Sequence, residues 1–341
     1  MSDIGIISIG RNEGERLRRC LASVLGRGHA VVYVDSNSTD GSAACARSLG
    51  AEVVELEMSA PFSAARARNA GFERLLSLAA GVRFAQFVDG DCEIVPGWID
   101  RAAAELQSRP DVAAVCGRRR ERCPEKSVYN RLADLEWDTP IGPAQSCGGD
   151  VMMRADAFRA VGGFDPSVVA GEEPELCQRL RLKGWSILRI DAEMTLHDSA
   201  MLHFGQWWRR AVRSGYGAAD VASRFGSHGL FVGHVRSARM WALGWPAAIL
   251  IAGVVAGAAA RPARGALAAA VVALVLPAQA LRLAIGARPR TRSFGDALAY
   301  GALTMLGKWA NLAGELQYRR DRSAGRITRQ IEYKQPVAAA P

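Results

Sequence analysis

Short apolar runs, each released into polar or acidic sequence, constrain this chain more than anything else in it. Residues 4–9 open onto a polar loop (10–14), residues 31–34 run into Asp35, and residues 84–88 run into Asp89 and Asp91. Helical patterns lie between them, through Leu25, over 42–49 and over 62–78, and Val53 and Val54 mark a further strand. Strands alternating with helices build a parallel α/β sheet. Such a sheet gathers its ligands in the crevice beyond the carboxyl ends of its strands, where this chain places its acids. Further along, Glu172, Glu173 and Glu175 crowd one short segment, and His197 follows. Carboxylates at one edge repel one another unless a counter-ion joins them, and a divalent cation carrying a diphosphate is such a counter-ion. The loop after the first strand has no G-x-G-x-x-G, which removes the main support for a dinucleotide-binding Rossmann site.

Charge divides the chain. It has 341 residues, with 43 Lys+Arg and 34 Asp+Glu, a net of +9. Residues 236–341 hold 15 basic and 4 acidic side chains, whereas residues 1–235 hold 28 and 30. A nucleic-acid-binding catalytic domain carries its own positive face; this one is slightly acidic, so nucleic acid is not an expected partner. The seven cysteines show no C-x-x-C pair, and their spacing suits neither zinc nor a disulfide framework. They read as small buried side chains in a reducing compartment. The first apolar run is too short, and lacks the basic lead-in, for a signal peptide.

Residues 240–260 carry no charge and include WALGWPAAILIAGVVAG, enough for the roughly 20 residues that cross a bilayer. Trp241 and Trp245 are placed as interfacial anchors. A second uncharged run, 265–281, contains Pro277. Together they read as a transmembrane hairpin with spans at about 240–260 and 265–285. Arg236 and Arg239 precede it, Arg282, Arg288, Arg290 and Arg292 follow it, and only Arg261 and Arg264 occupy its turn. That bias puts both ends, and the N-terminal domain, on the cytoplasmic side of the inner membrane. Residues 294–316 are apolar but interrupted by Asp296, Lys308 and Glu315, so they read as an interfacial helix and not as a third crossing. The expected organisation is a catalytic domain over 1–235, a membrane-associated helical region over 236–320, and a basic cytoplasmic tail over 321–341 that meets anionic headgroups. A buried helical subdomain is the alternative for this third, since alanine-rich helices also fill soluble cores.

The order of RNEGERLRRCLASVL, VDSNSTDGS, ARARNAG, VDGD, GGDVMMRADAFRAVGGFD and GEEPELCQRLRLKGW resembles family 2 glycosyltransferases of the GT-A fold, across residues 3–200. The resemblance implies an α/β nucleotide-diphospho-sugar transferase fold with a mostly parallel central sheet. It also implies a hexosyltransferase-type activity, Mg²⁺ or Mn²⁺ as cofactor, and a nucleotide-diphosphate sugar donor, UDP being the family's commonest choice. In such enzymes Asp35 matches the carboxylate that contacts the donor's base or ribose. Asn12 and Glu13 match residues near the ribose, and Arg68, followed by Asn69, matches a diphosphate or base contact. Asp89 and Asp91 resemble the metal-binding D-x-D, with Asp91 the direct ligand, and His197 falls where some relatives place a further one. Oxygen donors suit a hard cation. Plainer roles are open to several of these: a helix start for Glu13, an N-cap for Asp40, a solvated helix face for Arg68, and a structural histidine at 197.

An inverting transfer needs a carboxylate opposite the leaving group to take the acceptor hydroxyl's proton. The family's segment usually reads Glu-Asp with an acid two residues on; here it reads Glu172-Glu173-Pro174-Glu175. Glu173 stands where the Asp is expected and reaches one methylene further, while Pro174 suits a first helical turn. Either the pocket accommodates Glu173, or Glu172 does the work, or activity is lost. Gly148, Gly149 and Asp150 resemble the acceptor-side strand of the family. Gln206, Trp207 and Arg209 resemble part of the Q-x-x-R-W of its polymer synthases, here QWWRR without the final Trp. Two spans make a poor polymer channel, so a single transfer per encounter is expected.

These readings converge on a membrane-anchored, cytoplasm-facing, inverting and metal-dependent glycosyltransferase. Its acceptor is a lipid-linked glycan among membrane lipids, in exopolysaccharide or cell-envelope glycan assembly. Two alternatives stay open: transfer to a polyprenyl phosphate, which is already ionised and needs little base help, and a non-catalytic nucleotide-sugar-binding or scaffold protein.

Overall fold

The apolar runs become strands of one nine-stranded sheet. The computed structural model describes residues 2–259 and 261–326; the basic tail beyond 326 and the last residue of the first uncharged run lie outside them. In chain order the strands are β1 (Ile4–Gly10), β2 (Ala30–Asp35), β3 (Glu52–Glu55), β4 (Phe84–Asp89), β5 (Cys92–Ile94), β6 (Val112–Glu121), β7 (Gly142–Pro143), β8 (Val151–Arg154) and β9 (Ser186–His197). The order β3-β2-β1-β4 is parallel throughout. β8 then pairs antiparallel with β4 and β6, β9 runs parallel to β6, and β5 and β7 each pair antiparallel with β9. Ile6, Ile7, Val32 and Phe87 are wholly buried, because helices cover both faces of the sheet.

Those helices are α1 (Glu15–Val24), α2 (Ser42–Ser48), α3 (Ala64–Leu78), α4 (Trp98–Ser108), α5 (Val128–Glu136), α6 (Ala155–Ala160) and α7 (Glu172–Leu182). One core joins Ile6 to Leu17 and Leu21 of α1 and Trp98 and Leu106 of α4. The other joins Ile7 and Phe87 to Phe72 and Leu75 of α3, Phe158 of α6 and Leu176 of α7. The α3 helix starts two residues later than its apolar pattern, because the Ser63 side chain accepts from the Arg66 amide and caps it. All seven cysteines are free thiols.

The last third is helical: α8 (Phe204–Phe225), α9 (Val232–Arg239), α10 (Trp245–Ala259), α11 (Pro262–Ala273), α12 (Val275–Ala287) and α13 (Phe294–Ser323). The boundary expected at 235 falls inside α9. Two stretches, Val232–Ala259 and Pro262–Arg290, are long and apolar enough to cross a membrane. Their apolar side chains point outward, Leu250 at 67% and Leu267 at 65% exposure, which a buried soluble subdomain would not leave open. The α13 helix runs past 316 and packs along α8, α9 and α12. Its acids are paired: Asp296 with Arg131 at 2.6 Å, and the buried Glu315 with Arg239 and Arg319 at 2.5 and 2.8 Å.

Helices α8 and α13 meet backbone to backbone. A Cβ on Gly215 would lie 2.1 Å from the Asn311 carbonyl oxygen, and one on Gly314 would lie 2.0 Å from that of Val212. Gly314→Ala therefore forces the helices apart and costs about 1–3 kcal/mol, read as a lower unfolding temperature of the detergent-solubilised protein.

Candidate active site

A cleft of 730 Å³ opens at the carboxyl ends of β1, β2 and β4. Its walls are the loop after β1, Ser36, the Asp89–Asp91 turn, Gly148 and Gly149, the start of α7, and faces of α8 and α13.

Arg68 on α3 is the electrostatic pivot. It is 2% exposed; Nη2 donates to Asp89 Oδ1 at 2.7 Å and Nη1 donates to Glu172 Oε1 at 2.8 Å. Burial works against its charge, but Asp89 and Glu172 outweigh burial and hold its pKa above the ordinary arginine value. Burial likewise disfavours the Asp89 carboxylate, yet Arg68, Arg119 and His197 overcome it and hold the group at about 2. Gly149 makes room for the pair, since a Cβ there would lie 2.6 Å from Arg68 Nη2 and 2.8 Å from Asp89 Oδ2.

Asp150, which its motif places on the acceptor-side strand, packs behind the D-x-D. It is wholly buried; Oδ1 accepts from the Asp89 amide at 3.0 Å and Oδ2 from Thr195 Oγ1 at 2.8 Å, and Oδ2 forms an ion pair with Arg119 Nη2 at 2.8 Å. It braces the D-x-D from behind. Arg119 on β6 escaped the sequence reading, because Arg118-Arg119-Arg120 looks like a solvated strand end. Its guanidinium stacks on Trp137 at 5.6 Å. The only signal for it was a charged residue continuing the buried run VAAVCG toward the acid-bearing edge.

Pairing of Cys92 with His197 across β5 and β9 brings Asp91 beside the imidazole, with Asp91 Oδ2 3.1 Å from His197 Nε2. Burial, and after it Arg119, lowers the His197 pKa to about 4, so the ring is neutral near pH 7 and can present a lone pair. Asp91, Cys92 and His197 bring one donor atom each within 4.8 Å of one another, as do Asp89, Cys92 and Asp150. Burial pushes the Cys92 thiol well up, so it stays a thiol and is no competitive ligand. Carboxylate oxygens with one neutral imidazole fit Mn²⁺ or Mg²⁺.

The donor-side residues are ordered by one another. Asn12 adopts φ 56°, and its Oδ1 accepts from the Thr39 amide at 2.7 Å, which ties the loop after β1 to the loop after β2. Asn12 and Glu13 line the cleft, and Glu13 also pairs with Arg16 at 2.9 Å. Asp40 accepts from the Ser42 and Gly14 amides, a capping role. Asp35 is spent on the turn, Oδ1 accepting from the Tyr33 hydroxyl and Oδ2 from the Ser38 amide; its neighbour Ser36 is the residue that lines the cleft.

Glu172 and Glu173 open α7 and part company there. Glu172 is committed to Arg68. Glu173 is 2% exposed; its Oε1 accepts from the Cys147 amide at 2.7 Å and from Cys177 Sγ at 2.9 Å, and its Oε2 has no hydrogen-bond partner among the described residues. Burial raises its pKa, against the opposing hydrogen bonds from Cys177 and the Cys147 and Gly148 amides. A free oxygen and a raised pKa are what a general base needs. Glu175 is structural, paired with Arg179 at 2.6 Å.

The QWWRR segment divides between helix start and cleft. Gln206 accepts from the Leu202 and His203 amides at 2.8 and 2.9 Å and so caps α8. Arg209 is exposed and outside the cleft lining, which Trp207, Arg210 and Arg213 provide.

The family model for Glycosyl transferase family 2 matches residues 6–160. Pre-mycofactocin glycosyltransferases of two Mycobacterium tuberculosis strains, CDC 1551 / Oshkosh and H37Rv, are 27% identical over 238 residues, 65% of this chain and 48% of theirs. The chain thus spans about half the length of the curated relatives it matches. Among solved structures, the mannosyltransferase PcManGT from Pyrobaculum calidifontis, in complex with GDP-Man and Mn²⁺, aligns with a TM-score of 0.59 at 13% identity, over 94% of this chain and 88% of that one. Fold and cleft together define a GT-A domain, with its mixed, mostly parallel sheet. Over residues 6–160 the chain matches family 2 of the glycosyltransferases, and the curated relatives it resembles are named glycosyltransferases.

Asp91→Ala abolishes Mn²⁺ binding in an electron paramagnetic resonance titration. Asp150→Asn, which loosens the brace without touching the cation, weakens it by about 10- to 100-fold.

Proposed function

We propose that this protein transfers a sugar from a nucleotide-diphosphate sugar to a hydroxyl of a membrane-proximal, lipid-linked glycan, with inversion at the anomeric carbon. One observation carries the reading: a single cleft holds Asp89, Asp91 and His197 together with a buried Glu173 that keeps one carboxylate oxygen unengaged. The naming of the curated relatives as glycosyltransferases, and the GDP-Man and Mn²⁺ bound to the solved mannosyltransferase, support the donor class and the cation.

Asp91 and His197, with Asp89 beside them, would hold a divalent cation, whose charge would offset the negative charge building on the leaving diphosphate. Arg68 fixes Asp89, and Asn12 and Glu13 shape the pocket for the nucleoside. Glu173, oriented by the Cys147 amide, takes the acceptor hydroxyl's proton through Oε2. The hydroxyl oxygen then bonds to the anomeric carbon as the bond from that carbon to the diphosphate oxygen breaks. The arginines flanking the two apolar helices favour a cytoplasmic catalytic side at the inner membrane. Holding enzyme and acceptor on one surface raises their effective concentration, which suits exopolysaccharide or cell-envelope assembly.

The test uses the full chain in detergent, with UDP, GDP, dTDP and CMP as probes. One nucleotide raises the unfolding temperature only when Mn²⁺ is present, and Asp91→Ala loses the effect. Stabilisation by none of them overturns the reading. With donor and acceptor in hand, Glu173→Gln lowers kcat by about 10²- to 10⁴-fold and leaves nucleotide stabilisation intact. Because burial raises the Glu173 pKa, the wild-type rate falls as pH drops through that raised value, above the usual carboxylate range; a rate limb at ordinary glutamate pH would assign the base elsewhere.

A further inference from the structure

Three charged residues interrupt the apolar stretch of α13, and their fates differ. Asp296 and Glu315 are paired with arginines of α5, α9 and α13 itself. Lys308 is half-buried, lines the cleft, and has no carboxylate partner among the described residues. Facing it across the same cleft wall is His234 of α9, whose Nε2 is buried without a hydrogen-bond partner among the described residues. A desolvated ammonium and an unsatisfied ring nitrogen are costly to keep, and no packing need explains them, since a leucine would fill either place. Arg213 of α8 lines the same wall, and Arg210 beside it is paired with Glu136 at 2.7 Å.

We infer that the wall formed by α8, α9 and α13 is a phosphate-binding subsite centred on Lys308 and His234, and that it holds a phosphate carried by the acceptor. This rests on the transferase reading for the word acceptor, not for the phosphate. An ammonium with no carboxylate partner beside a ring nitrogen with no hydrogen-bond partner, both among the described residues, matches a small oxyanion that can accept from each. Apolar neighbours complete the subsite: Phe231, Leu303 and Trp207, the last lying 3.6 Å from where a Gly307 Cβ would stand. The phosphate chemistry has two sources, a lipid headgroup and a soluble phosphate ester. The continuity of α9 with the apolar stretch Val232–Ala259 favours the lipid, whose chain then lies along the helices that leave the cleft.

Binding is measured on the full chain in detergent with farnesyl phosphate, farnesol and inorganic phosphate as probes, by quenching of tryptophan fluorescence. Farnesyl phosphate binds wild type, and Lys308→Gln and His234→Leu each weaken it about tenfold or more, whereas Lys308→Arg retains it and shows that the fold tolerates change there. Farnesol binds more weakly and is indifferent to these substitutions. Inorganic phosphate binding as tightly as farnesyl phosphate would keep the oxyanion site and overturn the lipid source. Unchanged farnesyl phosphate affinity in Lys308→Gln overturns the subsite, as does loss of Mn²⁺-dependent nucleotide stabilisation in that variant, which would make Lys308 a donor contact. Wild type that binds farnesyl phosphate but no nucleotide keeps the subsite and retires the transferase reading.

Discussion

Two guanidiniums, Arg68 buried and Arg119 partly buried, hold the acid-rich edge of this sheet together. Asp89, Asp150 and Glu172 converge from β4, β8 and α7, and without intervening positive charge their repulsion in a poorly solvated site would spread those elements apart. Arg68 enters between Asp89 and Glu172, and Arg119 between Asp89 and Asp150. Removing one member of such a pair typically costs about 3–5 kcal/mol, because its partner is left charged and buried. Asp89 and Glu172 are ion-paired within the protein, while Asp91, His197 and Glu173 line the cleft.

How much of this was legible depended on sequence separation. The strands and their terminal acids could be read because an apolar run followed by a carboxylate is a local pattern, and Asp89, Asp91, Glu173 and His197 all reach the cleft. Asp150 and Arg119 could not be assigned, because their roles exist only across β6, β8 and β9, strands far apart in the chain. At Asp35 both carboxylate oxygens accept from Tyr33 and Ser38, and turn chemistry competes with ligand binding for the same oxygens.

The α8 segment shows how helix phase overrides motif spacing. Gln206 and Arg209, three apart, resemble a ligand-binding pair, but Gln206 stands at the third helical position, where a side chain turns back to the helix start. The face toward the cleft is instead that of Trp207, Arg210 and Ser214, at helical spacings of three and four. Contact with α13 sets that face, and α13 is remote in sequence. In the same way the acids of α13, which read as obstacles to membrane insertion, are ties to α5 and α9.

At Gly215 and Gly314 no side chain stands between α8 and α13 to act as a hinge cushion. The helix that walls the cleft is therefore locked to the catalytic domain, and through α12 to the apolar pair. Seated in a bilayer, such a block works as a ruler. The reacting centre would then stand at one height above the lipid surface, and acceptors would be sorted by how far they project from the membrane before any sugar is recognised.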